Sequence, residues 1–145
     1  MTLSPADRLD ISDLLTRADT AASARDIEGY LSLLTSDMVL DGDQGTYRGT
    51  SALRSALAAV WATEQKPSLH LTLNPVVDPG AQPGRARARS VLLIMDPGPP
   101  PALATAARIT HELRQEGGRW KISRRTVSAA GLVPEPPSDQ PQEDP

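Results

Sequence analysis

The apolar pattern of this chain changes period once, at Pro67, and that change constrains the fold more than any motif does. Before Pro67, apolar residues recur every three or four positions; after it, they alternate in runs parted by Pro and Gly clusters. Helices gathered ahead of strands, with short links between sequential strands, predict an α+β layer fold: three N-terminal helices on one face of a curved, mostly antiparallel sheet.

Ser4-Pro5-Ala6-Asp7 reads as a helix start, with Ser4 as cap, Pro5 at the first position and Asp7 favoured by the dipole. Ile11, Leu14, Leu15, Ala18 and Ala22 then form one apolar stripe. Asp26 caps a second, shorter helix through Ile27, Tyr30, Leu31 and Leu34. Met38 to Asp41 is a brief extended piece, and Asp41-Gly42-Asp43-Gln44-Gly45 carries turn chemistry. Thr50 is placed to cap a third helix whose Leu53, Leu57, Val60 and Trp61 share a face. The predicted strands are Ser68–Asp78, Arg85–Asp96, Leu103–Gln115 and Arg119–Ser128, joined as hairpins. Residues 1–130 make one domain, and 131–145, acidic and Pro-rich with no large apolar group after Val133, are expected to be a disordered tail.

Composition removes whole classes of function. The absence of cysteine excludes disulfides, thiolate nucleophiles and Cys-bound metals, and with two histidines the chain is expected to hold neither metal nor cofactor. No apolar run reaches the roughly 18 residues that span a bilayer, and the N-terminus lacks the regions of a signal peptide, so a cytoplasmic protein without membrane partners is expected. Net charge is −5 over residues 1–80, +6 over 81–133 and −4 over 134–145. The basic surplus sits in the strands without interleaved aromatics, which fits a solvated sheet face or an anionic ligand and argues against nucleic acid. Arg85, Arg87 and Arg89, alternating with Ala86, Ala88 and Ser90, read the same two ways.

Three segments carry a family resemblance. Ala24-Arg25-Asp26-Ile27-Glu28 with Leu33-Leu34-Thr35-Ser36-Asp37-Met38-Val39, then Tyr47-Arg48-Gly49, then Gly118-Arg119-Trp120-Lys121-Ile122, resemble in order and spacing the SnoaL-like families of the NTF2-like superfamily. The resemblance implies a cone-shaped fold with an apolar pocket between helices and sheet. It also implies a hydrophobic small-molecule ligand, a homodimer formed through the outer sheet face, and relatives that include ketosteroid isomerases, scytalone dehydratases and polyketide cyclases.

Within it, Asp41 matches the general-base aspartate of the isomerases, although Asp41-Gly42 also makes an ordinary turn. Ala18 stands where those isomerases carry their enolate-stabilising tyrosine. His70 falls where the dehydratases have a pocket histidine, but alternation sets His70, Thr72 and Asn74 on one strand face and Leu69, Leu71 and Leu73 on the other, which also fits a polar edge. The dehydratases' helix 1 tyrosine and aspartate are replaced by Ala22 and Ser23, and their second histidine falls near Ser90. Strand parity alone puts His111 with Ile109 and Leu113, as a satisfied core histidine or a ligand-facing one. The expected set is therefore Asp41, His70 and His111 for acid–base chemistry, converging on one enclosed pocket, with Trp61, Tyr30 and Asp19 contacting substrate. The expected activity is a cofactor-independent isomerase, cyclase or dehydratase, and the competing reading is a noncatalytic binding or dimerisation module.

Overall fold

The structure, a computed structural model, describes residues 2–43 and 45–129. The expected tail at 131–145 lies outside them. Helix α1 (Pro5–Ser23) starts on a reciprocal cap: Ser4 Oγ accepts from the Asp7 amide at 3.1 Å, and the Asp7 carboxylate accepts from the Ser4 amide at 3.1 Å. Its whole predicted stripe, Ile11, Leu14, Leu15, Ala18 and Ala22, is buried. The Trp120 indole donates to Asp7 at 3.0 Å and pins the helix start to the last strand.

Helix α2 (Ile27–Leu31) is capped by Asp26, which accepts from the Gly29 amide at 2.9 Å. The helix stops before Leu34, contrary to the sequence reading, because the Leu33 carbonyl accepts from the Ile122 amide at 3.0 Å and Leu34 opens strand β1 (Leu34–Gly42). Strand pairing outweighs one further helical turn. A short β2 (Gly45–Arg48), unforeseen in the sequence, forms a hairpin with β1, so Asp41 and Gly42 are paired strand residues and not the turn itself. Gly49, at φ 81°, makes the bend into α3 (Gly49–Thr63), and Thr50 lies inside that helix instead of capping it. Leu53 and Trp61 of α3 are buried and Leu57 packs against the core, but Val60 is 51% exposed and leaves the predicted face.

The remaining strands are β3 (Leu69–Pro79), β4 (Arg85–Asp96), β5 (Ala102–Glu116) and β6 (Arg119–Ser128), paired antiparallel in hairpin order as expected. The sheet runs β2-β1-β6-β5-β4-β3, with β1 and β6 parallel, which makes it mixed and mostly antiparallel. The helices lie on one face of this curved sheet. Their stripe meets Met38, Leu113, Trp120 and Ile122 in one contiguous core. On the outer face Leu69, Leu71 and Leu73 are 45%, 40% and 39% exposed, so the polar partners His70 and Thr72 are the ones turned inward. Among the described residues no helix is long and apolar enough to cross a membrane.

Candidate functional site

Strand β3 is a sheet edge, and α1 closes it. Asp19 and Ser23, four residues apart on one helical face, reach its free amides: Asp19 accepts from the Thr72 amide at 2.6 Å and its hydroxyl at 2.9 Å, and Ser23 Oγ accepts from the His70 amide at 2.9 Å. Donors that would otherwise invite another strand are thereby satisfied. Burial raises the Asp19 carboxyl above its ordinary range, against the opposing pull of Thr72 and of the Arg125 and His70 charges.

His70 is part-buried beside this contact, and its Nδ1 has no hydrogen-bond partner among the described residues. Burial first, and the Arg125 charge second, lower its pKa; Asp19, the Ser68 main chain and Glu64 pull it back up. The imidazole is therefore neutral near pH 7, with a carboxylate close enough to favour the imidazolium once a proton arrives.

Farther along the inner face, parity places His111 between Ile109 and Leu113, with Ala88 of β4 and Arg125 of β6 as its register partners. It is 3% exposed, its Nδ1 is unpartnered among the described residues, and burial with the neighbouring Arg125 charge pushes its pKa down to about 3. Arg125 donates from Nη1 to the Tyr30 hydroxyl at 2.9 Å, while its Nε and the nearby Ser90 Oγ find no partner among the described residues. Tyr30 itself is 2% exposed.

The structure does not bring the three expected residues together. His70 and His111 share the inner face, but their register partners on β4, Ile94 and Ala88, stand six residues apart, about 20 Å of strand. The groups that link them are Asp19, near His70, and Arg125, whose charge acts on both histidines. Asp41 is a correction. It pairs in register with Thr46 and Thr126, shares the outer face with Arg124, accepts from Thr46 at 2.6 Å and Arg124 at 3.5 Å, and its side chain is 41% exposed. A hydrated, paired carboxylate across the sheet from both histidines cannot act with them on one enclosed ligand. Trp61 is packed in the core, and Tyr30 meets the inner face through Arg125.

Arg125 is the residue sequence reasoning missed. Strict alternation from Trp120 and Ile122 points Arg124 inward, but the register shifts beside Ser123, where Glu112 faces Arg124 and Leu113 faces Ile122, so Arg125 takes the inner side. Two clefts lie at the margins of this face. One of about 540 Å³ lies between α1 and β3 and is lined by Asp19, Ser23, His70 and Thr72. The other, about 490 Å³, opens at the sheet end between residues 64–68 and Ile94 and Thr105. Leu92, Ala107 and Ile109, on the face running inward from that second opening, are 1–2% exposed yet stand outside the contiguous core.

The family described as SnoaL-like domain matches residues 4–126. A protein of unknown function with a cystatin-like fold from Nostoc punctiforme superposes with a TM-score of 0.80 at 25% identity, over 94% of this chain and 98% of that one. An NTF2-like protein from Novosphingobium aromaticivorans gives 0.76 at 18% identity, covering 88% and 89%. A protein from the same organism, provisionally assigned as a scytalone dehydratase, gives 0.70 at 16% identity, covering 84% and 83%. No curated protein matches the sequence.

Proposed function

The chain belongs to the SnoaL-like domain family, and from that premise we propose that it binds a hydrophobic small molecule between helices and sheet and moves a proton on it, as an isomerase, cyclase or dehydratase of an apolar carbonyl compound. The observation that carries this reading is His70: an inward imidazole with an unpartnered Nδ1, kept neutral by burial, beside the carboxylate of Asp19 and lining a cleft. His70 Nδ1 takes a proton from the carbon next to the carbonyl, the C–H electron pair moves to the carbonyl oxygen as an enolate, and the imidazolium, favoured by Asp19, returns the proton to the same or a conjugated carbon. Asp19 is a positioning residue, fixed by Thr72, and Asp41 has no part in the step. His111 contributes a neutral polar group deeper on the same face.

The test is exchange of hydrogen for deuterium at the carbon next to the carbonyl in a panel of cyclic and aryl ketones in D₂O, followed by proton NMR. Exchange above buffer that His70→Gln abolishes in a folded protein supports the reading; no exchange in any ketone leaves the noncatalytic binding module.

The outer face supports a second element, a homodimer. Leu69, Leu71, Leu73, Val76 and Leu103 are exposed there, on the side the helices leave uncovered, and a twofold pairing of two such faces would bury them all. Light scattering should give twice the 15.4 kDa chain mass, and Leu71→Lys should halve it. A concentration-independent monomer in the wild type sinks the dimer.

A further inference from the structure

Arg125 stands apart from the other part-buried arginines described. Arg25, Arg114 and Arg124 each meet a carboxylate within ion-pair distance, whereas Arg125 donates to the neutral Tyr30 hydroxyl. One carboxylate whose charge reaches it is Asp19, and Asp19 is already held by Thr72. A guanidinium on a largely apolar face without a counter-charge in contact is costly unless something supplies one.

The atoms around it agree on what that something is. Arg125 Nε, His111 Nδ1 and Ser90 Oγ are buried and unpartnered among the described residues. Tyr30, accepting from Arg125, still has its own hydrogen to give. Ser90 pairs with Ile109 and Ala88 with His111, so the Ser90 and His111 side chains are diagonal neighbours on one face. A guanidinium fork, a phenol, a hydroxyl and an imidazole that gives one N–H form a set rich in donors, which a carboxylate, all acceptor and singly charged, complements. A phosphate dianion would leave a surplus charge beside a single arginine. Between this polar end and the opening at Ile94 and Thr105, the inward side chains are Leu92, Ala107 and Ile109. Ser90 to Ile94 is about 13 Å of strand, the length of a body of one or two rings.

We infer that the ligand of this cone is a carboxylate on an apolar ring body, with its carboxylate on Arg125 and its body along Leu92, Ala107 and Ile109. The inference rests on reading the inner face as a ligand pocket, as proposed above, but not on any proton transfer.

Titration calorimetry with 2-naphthoate and its neutral isostere 2-naphthamide tests it, with circular dichroism to verify folding of every variant. The wild type should bind the acid at least about tenfold more tightly than the amide. Arg125→Gln should erase that preference while leaving amide binding in place, and Tyr30→Phe should reduce it several-fold. If Arg125→Gln does not fold, Arg125→Lys replaces it, keeping charge without the fork, and should retain a reduced preference that salt weakens. Equal binding of acid and amide by the wild type, or an undiminished preference in Arg125→Gln, overturns the inference and leaves the pocket reading intact. Acid preference without any ketone exchange upholds the inference and removes the proton-transfer step instead. Binding of neither probe overturns both the pocket and its carboxylate.

Discussion

Asp19 and Asp41 are the same side chain in two regions of one molecule, and the contrast between them separates chemistry from packing. Asp41 lies on the outer face, exposed to water, with a hydroxyl and a guanidinium to accept from. Asp19 is taken from water by α1 and β3, is fixed by the Thr72 amide and hydroxyl, and has its carboxyl raised by burial while it sits in the field of His70 and Arg125. The adjacent arginines repeat the contrast: Arg124 meets Asp41, and Arg125 donates to a phenol while its Nε has no partner among the described residues. Paired charges in water hold little usable free energy, whereas desolvated, incompletely satisfied groups are poised to interact with whatever arrives.

The widest separation between the regions is expected in turnover. His70→Gln or Asp19→Asn should lower the ketone exchange rate on the order of 10²-fold or more, and Asp41→Asn should leave it within about twofold of wild type. Equal losses at Asp19 and Asp41, measured by the same NMR assay, would break the comparison.

Next comes the pH dependence of stability. His111 has a folded pKa of about 3, below the unfolded value of about 6.5. The unfolded state therefore binds the proton first, and stability present above pH 6.5 is lost as the pH falls towards 3. At about 1.4 kcal/mol per pKa unit, the loss amounts to a few kcal/mol. Asp19 carries the opposite sign: its raised carboxyl contributes stability that is present below the ordinary aspartate value and lost as pH rises through the folded one. Urea denaturation at stepped pH should show the acid-side slope in the wild type and a flatter one in His111→Gln. An unchanged slope in that variant would show that His111 is not the group responsible.

Smaller effects grade the two faces against each other. Tyr30→Phe takes the acceptor from Arg125 and should cost about 1–3 kcal/mol. Asp41→Asn should cost about 0–1 kcal/mol and less at high salt, since its ion pair is exposed. Denaturant midpoints at two salt concentrations distinguish the cases, and a larger cost at Asp41 than at Tyr30 would reverse the ranking of the faces.

How much of this was legible in the sequence follows from the range of each interaction. The α1 stripe, its Ser4 cap and the four hairpin strands are set by spacing within a few residues, and they stand where the sequence put them. The inward direction of His111 follows from parity with Ile109 and Leu113 on an unbroken stretch of strand. What failed depended on partners distant in the chain. Leu34 left its helix because Ile122, 88 positions later, recruited the Leu33 carbonyl. Asp41 became an outer-face strand residue because β1 found both β2 and β6. His70 and Thr72 turned inward, ahead of three leucines, because α1 supplied Asp19 and Ser23 to their amides.

The sequence by itself thus determined the layers: which segments coil, which extend, and which apolar stripe faces the sheet, since local periodicity and capping decide these. Tertiary structure alone decided the site. A shift of one residue beside Ser123 exchanged Arg124 for Arg125 on the inner face, and because strand side chains alternate with a period of two, such a shift moves a charge from water to the interior without altering any local signal.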